Sequence, residues 1–395
     1  MRILTINCGS STLKFELFEV VEEERSIARG VVDRIGGRGS AELISESGDR
    51  TVQPAGVADH GEATIQAIRL LDSSGLLGGL EAVGHRVVHG GARFSRSVLL
   101  DARTENAIEE LTELAPLHNG PALAAIRAVR DALGSEMPQV VCFDTAFHTR
   151  MPRVARLFAL PRSLADEGVL RYGFHGLSYE YIMGELRALD LEAAAGRVVI
   201  AHLGNGASMV AVRGGVGVDT TMGFTPIGGL AMGTRSGDLD PGVLLYLLEE
   251  ERLSPLEVGE LINRRAGLLG LSETTADMRD LLSREPNDPR ATEAVALFCY
   301  QAKKFLGALV AALGGLDTLV FTGGIGEHAA PVRWRICEGL EFLGIRLDVP
   351  RNAQHAPVVS RDGSPVTVRV IPTDENLMIA RHTRELVRPT TKEGA

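Results

Sequence analysis

Two short segments carry the residue types that hold phosphate oxygens. Asn7-Cys8-Gly9-Ser10-Ser11-Thr12 follows an apolar run and leads into Lys14-Phe15-Glu16-Leu17-Phe18; His202-Leu203-Gly204-Asn205-Gly206-Ala207-Ser208 follows another and leads into Met209-Val210-Ala211-Val212. Each reads as a β-hairpin whose turn is packed with glycine and small polar residues, which aim backbone N–H groups and hydroxyls outward. Either turn alone is equally compatible with a plain tight hairpin. The recurrence of one pattern in both halves of the chain points to a pair of facing grips on a polyphosphate.

A third glycine loop, Thr322-Gly323-Gly324-Ile325-Gly326-Glu327-His328-Ala329, follows the apolar run Leu319-Val320-Phe321 and precedes a helix expected from Val332, with Asp348 expected to end a later strand. Its G-x-G-x-x-A spacing resembles a dinucleotide fingerprint, but too little chain follows for the strands such a domain needs. A glycine turn feeding a helix N-terminus still suits the phosphates or ribose of a nucleotide. No G-x-x-x-x-G-K-[ST] segment occurs, which removes the P-loop route to ATP. His85-Arg86-Val87-Val88-His89 has zincin-like spacing without the glutamate, and its alternation reads as strand, where residues four apart lie roughly 13 Å apart. No serine sits in a G-x-S-x-G elbow, and His60, His118 and His355 read as structural or exposed.

The elements that must position these loops alternate strand and helix. Val83–Val88, Gln139–Phe143, Val198–His202, Asp317–Thr322 and Val366–Ile371 read as strands; helices are expected at Pro121–Leu133, after the capping box Ser254-Pro255-Leu256-Glu257, and from Asp288 to Leu313. Such alternation gives an α/β fold of sheets covered by helices. With 395 residues, two domains are expected.

Composition excludes several classes. The net charge of -10, without long runs of one sign, opposes a nucleic-acid partner. Apolar runs fall short of the roughly 20 residues that span a bilayer, and no leader-like segment opens the chain. Cys8, Cys142, Cys299 and Cys337 are widely spaced, which reads as buried thiols in a reducing, cytoplasmic setting. Of 41 basic residues only Lys14, Lys303, Lys304 and Lys392 are lysines, so an arginine by itself says little here.

Taken together, Asn7 to Lys14, Gly84 to Gly91, Phe143 to His148, Tyr172 to Gly176, His202 to Gly206, Gly233-Thr234-Arg235-Ser236-Gly237, Gly324 to Glu327 and Pro372 to Glu375 resemble the successive signatures of the acetate kinase family, in its order and across nearly the whole chain. That resemblance implies a duplicated, two-domain actin-like ATPase (ribonuclease H-like) fold with ATP in the interdomain cleft. The expected domains are residues 1–144 completed by 376–395, and residues 145–375. The implied reaction transfers the γ-phosphoryl group of ATP reversibly to acetate, giving acetyl phosphate and ADP, with Mg²⁺, or Mn²⁺ in its place, and a homodimer as the assembly.

The roles follow residue by residue. A carboxylate nucleophile is ionised at pH 7, so the obstacle is bringing one anion against another, and cationic groups must dominate. Arg86 and Arg235 match the family arginines that hold the carboxylate and the phosphoryl group; His175 joins Arg235 at the group in transit; Asp144 matches the family acid/base, or else positions metal or substrate. Val88, Leu117, Phe174 and Pro226 are expected around the acyl tail. Ser10, Thr12, Lys14, His202, Leu203, Gly204, Asn205, Gly206, Asp277, Met278, Arg279, Gly324, Ile325, Gly326, Glu327 and His328 are expected to contact nucleotide, and Asn7 and Glu375 the metal. Tyr179 stands where the family usually has a second histidine, Asn376 where a second carboxylate is common, and Thr12 replaces a serine. The rivals are a propionate or butyrate kinase of the same family, an ATP-driven conformational switch, and a dehydrogenase using the Gly324 loop.

Overall fold

The computed structural model describes residues 1–9, 11–20, 24–113 and 116–388, without the side chains from 113 to 118, so Ser10 and the Leu117 side chain lie outside the described residues. The chain divides into two compact units, one formed by Met1–Phe147 with Asp374–Ala395 and the other by His148–Thr373.

In the first unit the strands are β1 (Arg2–Cys8), β2 (Leu13–Val20), β3 (Glu24–Val32), β4 (Gly39–Ser45), β5 (Arg50–Ala55), β6 (Leu80–Val87), β7 (Val98–Leu99) and β8 (Gln139–Phe143), in the spatial order β5-β4-β3-β2-β1-β6-β8-β7. β1 is apolar on both faces because both are covered. Leu4 and Ile6 join Ala63, Leu70, Ala125 and Val129 in one core, whereas Ile3 packs with Phe18 and Ala380 in another. That alternation is the period-2 geometry of a strand with helices on either side. Gly84 of β6 lets the helix Glu375–Val387 approach, since a Cβ there would collide with Thr383 and Ile379.

The second unit's sheet runs β11 (Val216–Thr220), β10 (Ala207–Arg213), β9 (Arg197–Leu203), β12 (Thr318–Thr322) and β13 (Thr367–Val370), in that spatial order. β9 pairs antiparallel with β10 and parallel with β12, which pairs parallel with β13. β1 likewise pairs antiparallel with β2 and parallel with β6, which pairs parallel with β8. The recurrence seen in the sequence is therefore a repeated sheet topology, β3-β2-β1-β6-β8 matching β11-β10-β9-β12-β13.

Three boundaries differ from expectation. The helix that should begin at Pro121 begins at Pro116 and carries Pro121 inside it; a proline early in a helix forfeits one backbone bond but already has helical φ. The third glycine loop is itself helical, Gly323–His328, followed by Ala330–Cys337. Asp348 ends no strand but caps the helix Val349–Ala353 by accepting from Arg351 N–H. The 25-residue helix Pro289–Leu313 is long and apolar enough to cross a membrane by length and composition, a property the sequence reading missed. Its Ala291, Ala294, Val295, Phe298, Cys299, Ala302, Leu306 and Leu309 are buried within the protein.

Candidate active site

In the first unit the parallel strands β1, β6 and β8 end side by side, which is where open α/β sheets place their ligands. Asn7 sits near the end of β1, Arg86 near the end of β6 and Asp144 directly after β8, while Glu375 opens the helix Glu375–Val387. Arg86 Nε donates to both Asp144 oxygens at 3.1 Å, and its Nη2 donates to Oδ2 at 2.5 Å. Its Nη1 donates to Asn7 Oδ1 at 3.0 Å and lies 3.9 Å from Glu375, to which Asn7 Nδ2 donates at 3.3 Å. Burial works against the Arg86 charge, but the carboxylates of Asp144 and Glu375 outweigh it and hold the guanidinium above its usual range. Asp144, fully buried, is thus a forked partner of an arginine.

The turn joining β1 to β2 is pinned by Gly9 N–H donating to Thr12 O at 2.8 Å and by His60 Nε2, 2.8 Å from Gly9 O. His60 therefore supports the turn. Lys14 is exposed and stands opposite Asn7 in the register. Val88 is buried at the end of this strand system. His85 and His89 have separate partners, Gln139 for one and the Gly91 backbone for the other, so the apparent metal pair is absent.

In the second unit His175 precedes the helix Gly176–Leu189 in the left-handed region, φ 57°, a conformation that costs a non-glycine residue roughly 1–2 kcal/mol. Its ring stacks on His202 with centroids 4.3 Å apart. A Cβ built on Gly206 would lie 3.1 Å from Arg235 Nη2 and 3.2 Å from His175 Nε2. Arg235 and His175 thus converge on one point above the β9–β10 turn, and Gly206 keeps that point open. Arg235 Nη1 also donates to Pro226 O at 2.6 Å, bringing a residue expected at the acyl tail beside the guanidinium. Phe174, fully buried, precedes His175.

Other expected nucleotide residues divide. Leu203 and Met278 bury their side chains and present only backbone. Gly324 has open space where a side chain would stand. Glu327 turns inward, accepting from Gly323 N at 2.8 Å and from Thr373 N at 3.2 Å, so its carboxylate braces the loop. Asp277 caps the helix Met278–Arg284 and pairs with Arg279 at 3.0 Å.

Sequence reasoning passed over a set of hydroxyls. Ser208 Oγ lies 2.8 Å from His175 Nδ1 and bonds Tyr179 OH; Ser178 Oγ lies 2.8 Å from His202 Nδ1 and accepts from Thr373 Oγ1 at 2.8 Å. The available signal was spacing: Tyr179 is four residues after His175 and so shares its side of the helix. Asn376 donates to Glu16 Oε2 at 3.0 Å, so a carboxylate does stand at that corner, supplied by β2.

Residues 2–381 match the model of the acetokinase family. The chain belongs to that family. An acetate kinase of Clostridium beijerinckii is 44% identical over 402 residues, covering 98% of this chain and 100% of its own. One from Rhodopseudomonas palustris is 47% identical over 389 residues, covering 96% and 97%. Among solved structures, Porphyromonas gingivalis acetate kinase superposes with a TM-score of 0.89 at 38% identity, covering 98% of this chain and 100% of that one. A propionate kinase from Francisella tularensis gives 0.92 at 36%, covering 98% and 99%. The fold is accordingly the duplicated actin-like one of these kinases.

Proposed function

We propose that this protein is an acetate kinase, transferring the γ-phosphoryl group of ATP reversibly to acetate to give acetyl phosphate and ADP. The observation that carries this reading is the convergence of Arg235 and His175 over Gly206, an arrangement of donors suited to the oxygens of a phosphoryl group in transit. Arg86 holds the acetate carboxylate, and Asp144, already engaged by three Arg86 contacts, keeps that guanidinium in place. No proton has to be removed from acetate, whose carboxyl is ionised at neutral pH, so a positioning role for Asp144 meets the chemistry. Thr12, Lys14, the Leu203–Gly206 segment and the Gly324 loop are the groups this reading assigns to the nucleotide.

Asn7 and Glu375 lie side by side, Asn7 Nδ2 donating to Glu375 Oε2 at 3.3 Å while Asn7 Oδ1 accepts from Arg86 Nη1 at 3.0 Å, and among the described residues no group of three or more His, Cys, Asp or Glu is placed to hold a metal ion. A sparse oxygen set suits Mg²⁺, which keeps most of its waters. These two residues would hold it, and the ion would neutralise part of the nucleotide's phosphate charge.

The assembly is a homodimer in the cytoplasm, without nucleic-acid or membrane partners. Support for the dimer comes from the helix Pro241–Glu249, which buries none of its residues although Leu245 and Tyr246 are 55% and 53% exposed and Leu256 nearby is 83% exposed. Such a patch marks an association surface.

The test is trapping with hydroxylamine. Hydroxamate that forms only with ATP, Mg²⁺ and acetate together supports the proposal, whereas ATP loss without hydroxamate sinks it. The resemblance to a propionate kinase makes chain length the second variable. One methylene changes binding by about 1 kcal/mol, so acetate should exceed propionate by no more than roughly tenfold in kcat/KM.

A further inference from the structure

Two imidazoles stand stacked in the second unit, and the same device sits behind each. His175 Nδ1 meets Ser208 Oγ at 2.8 Å, and Ser208 Oγ is bonded to Tyr179 OH; His202 Nδ1 meets Ser178 Oγ at 2.8 Å, and Ser178 Oγ accepts from Thr373 Oγ1 at 2.8 Å. The other ring nitrogens face the glycine turn, with His175 Nε2 3.2 Å from the Cβ position of Gly206 and His202 Nε2 3.8 Å from that of Gly204. We infer that these paired hydroxyls are positioning groups that hold both histidines as neutral Nε2–H tautomers, each presenting an N–H donor to the phosphate oxygens.

The direction of the protons follows from the chemistry of the partners. A serine hydroxyl has a single proton. Thr373 donates to Ser178, which leaves the Ser178 proton available to His202 Nδ1; we take the relay in that direction, with the imidazole proton on Nε2. In the other relay the phenol is the more acidic hydroxyl, with an ordinary pKa near 10. The bonds therefore run from Tyr179 to Ser208 and from Ser208 to His175 Nδ1, which again puts the ring proton on Nε2. Stacking at 4.3 Å acts in the same sense, because two imidazolium charges that close in a buried setting repel. Ser178 and Ser208 are both fully buried, so bulk water does not compete for the relay. Tyr179 is placed for this by the helix it sits on. Its N–H donates to His175 O at 3.1 Å in the first helical turn, which keeps residues 175 and 179 on one side.

The inference explains how Tyr179 serves where the family usually has histidine, since the position needs only a donor to Ser208. It rests on the kinase reading for its catalytic meaning, but its test does not. In the full-length protein labelled with ¹⁵N-histidine at pH 7.5, His175 and His202, assigned by single substitution, should each show an unprotonated Nδ1 and a protonated Nε2. Y179F should shift His175 toward a mixture of tautomers while His202 keeps its pattern, and T373V should do the converse. In hydroxamate formation Y179F should lose about fivefold in kcat, with the KM values for ATP and acetate within twofold of the parent, and Y179H should restore both rate and tautomer. An Nδ1–H or imidazolium form of His175 in the parent protein overturns the inference, as does a Y179F spectrum identical to the parent's. Absence of hydroxamate with the parent would instead count against the kinase reading and leave the tautomer measurement intact.

Discussion

The two units repeat one sheet topology and yet build their polar sites from opposite materials. At the strand ends of the first unit, Arg86 is held by the carboxylates of Asp144 and Glu375 and by Asn7, an assembly of formal charges. Around the corresponding turn of the second unit, His175 and His202 are held by Ser208, Tyr179, Ser178 and Thr373, an assembly of neutral hydroxyls. Charges that compensate one another cost little when all are present and a great deal when one is removed. Hydroxyl relays govern where a proton sits and lose only a hydrogen bond when cut. Damage to the first unit should therefore fall on stability, and damage to the second on rate.

The largest expected effect is in the first unit. Asp144→Ala leaves the Arg86 guanidinium, whose side chain is only 16% exposed, without its forked partner, and unfolding by denaturant should show a loss of about 3 kcal/mol together with loss of activity. Retention of parental stability would remove the charge-assembly half of the contrast.

Acid should weaken both units. Burial depresses the pKa of His85 in the first and His148 in the second from 6.5 to about 4 in each case. Between those values the unfolded chain binds protons that the folded one does not, so the contribution of these two histidines is complete well above pH 6.5 and is lost as pH drops toward 4. Each histidine accounts for roughly 3 kcal/mol over that interval. Thermal unfolding followed from pH 7.5 to 4.5 measures it, and His85→Gln should flatten the curve if the first unit contributes.

In the second unit Arg235→Ala and His175→Ala should each lower kcat by about 10²-fold or more, near 2.7 kcal/mol, with denaturant stability within about 1 kcal/mol of the parent. A near-normal kcat in either variant removes that residue from the transfer step. Gly206→Ala should be milder, lowering kcat by about tenfold, because its methyl group would press on both Arg235 and His175.

Much of this was legible in the residue order. Turn chemistry at Gly9 and at Gly204–Gly206 announced the two hairpins, and apolar runs announced the strands around them, because both signals are local. The eight ordered segments from Asn7 to Glu375 pointed to the family that the comparisons then established. Less local features were misread. The expected helix does follow, as Ala330–Cys337, but the glycine loop ahead of it is itself helical, Gly323–His328, where the Glu327 carboxylate folds back onto Gly323 N–H and also meets the passing chain at Thr373.

By itself, the sequence determined an α/β chain with a repeated hairpin, since turn preference and periodicity act over a few neighbours, and its ordered segments pointed to the family whose arginines suit paired anions. Tertiary structure alone decided which side chains meet: Arg86 with an aspartate 58 residues away, His202 with Ser178 and through it Thr373, Asn376 with Glu16. Those pairings depend on strand register and on which face of a helix turns inward. A one-residue slip in either would bring different groups together.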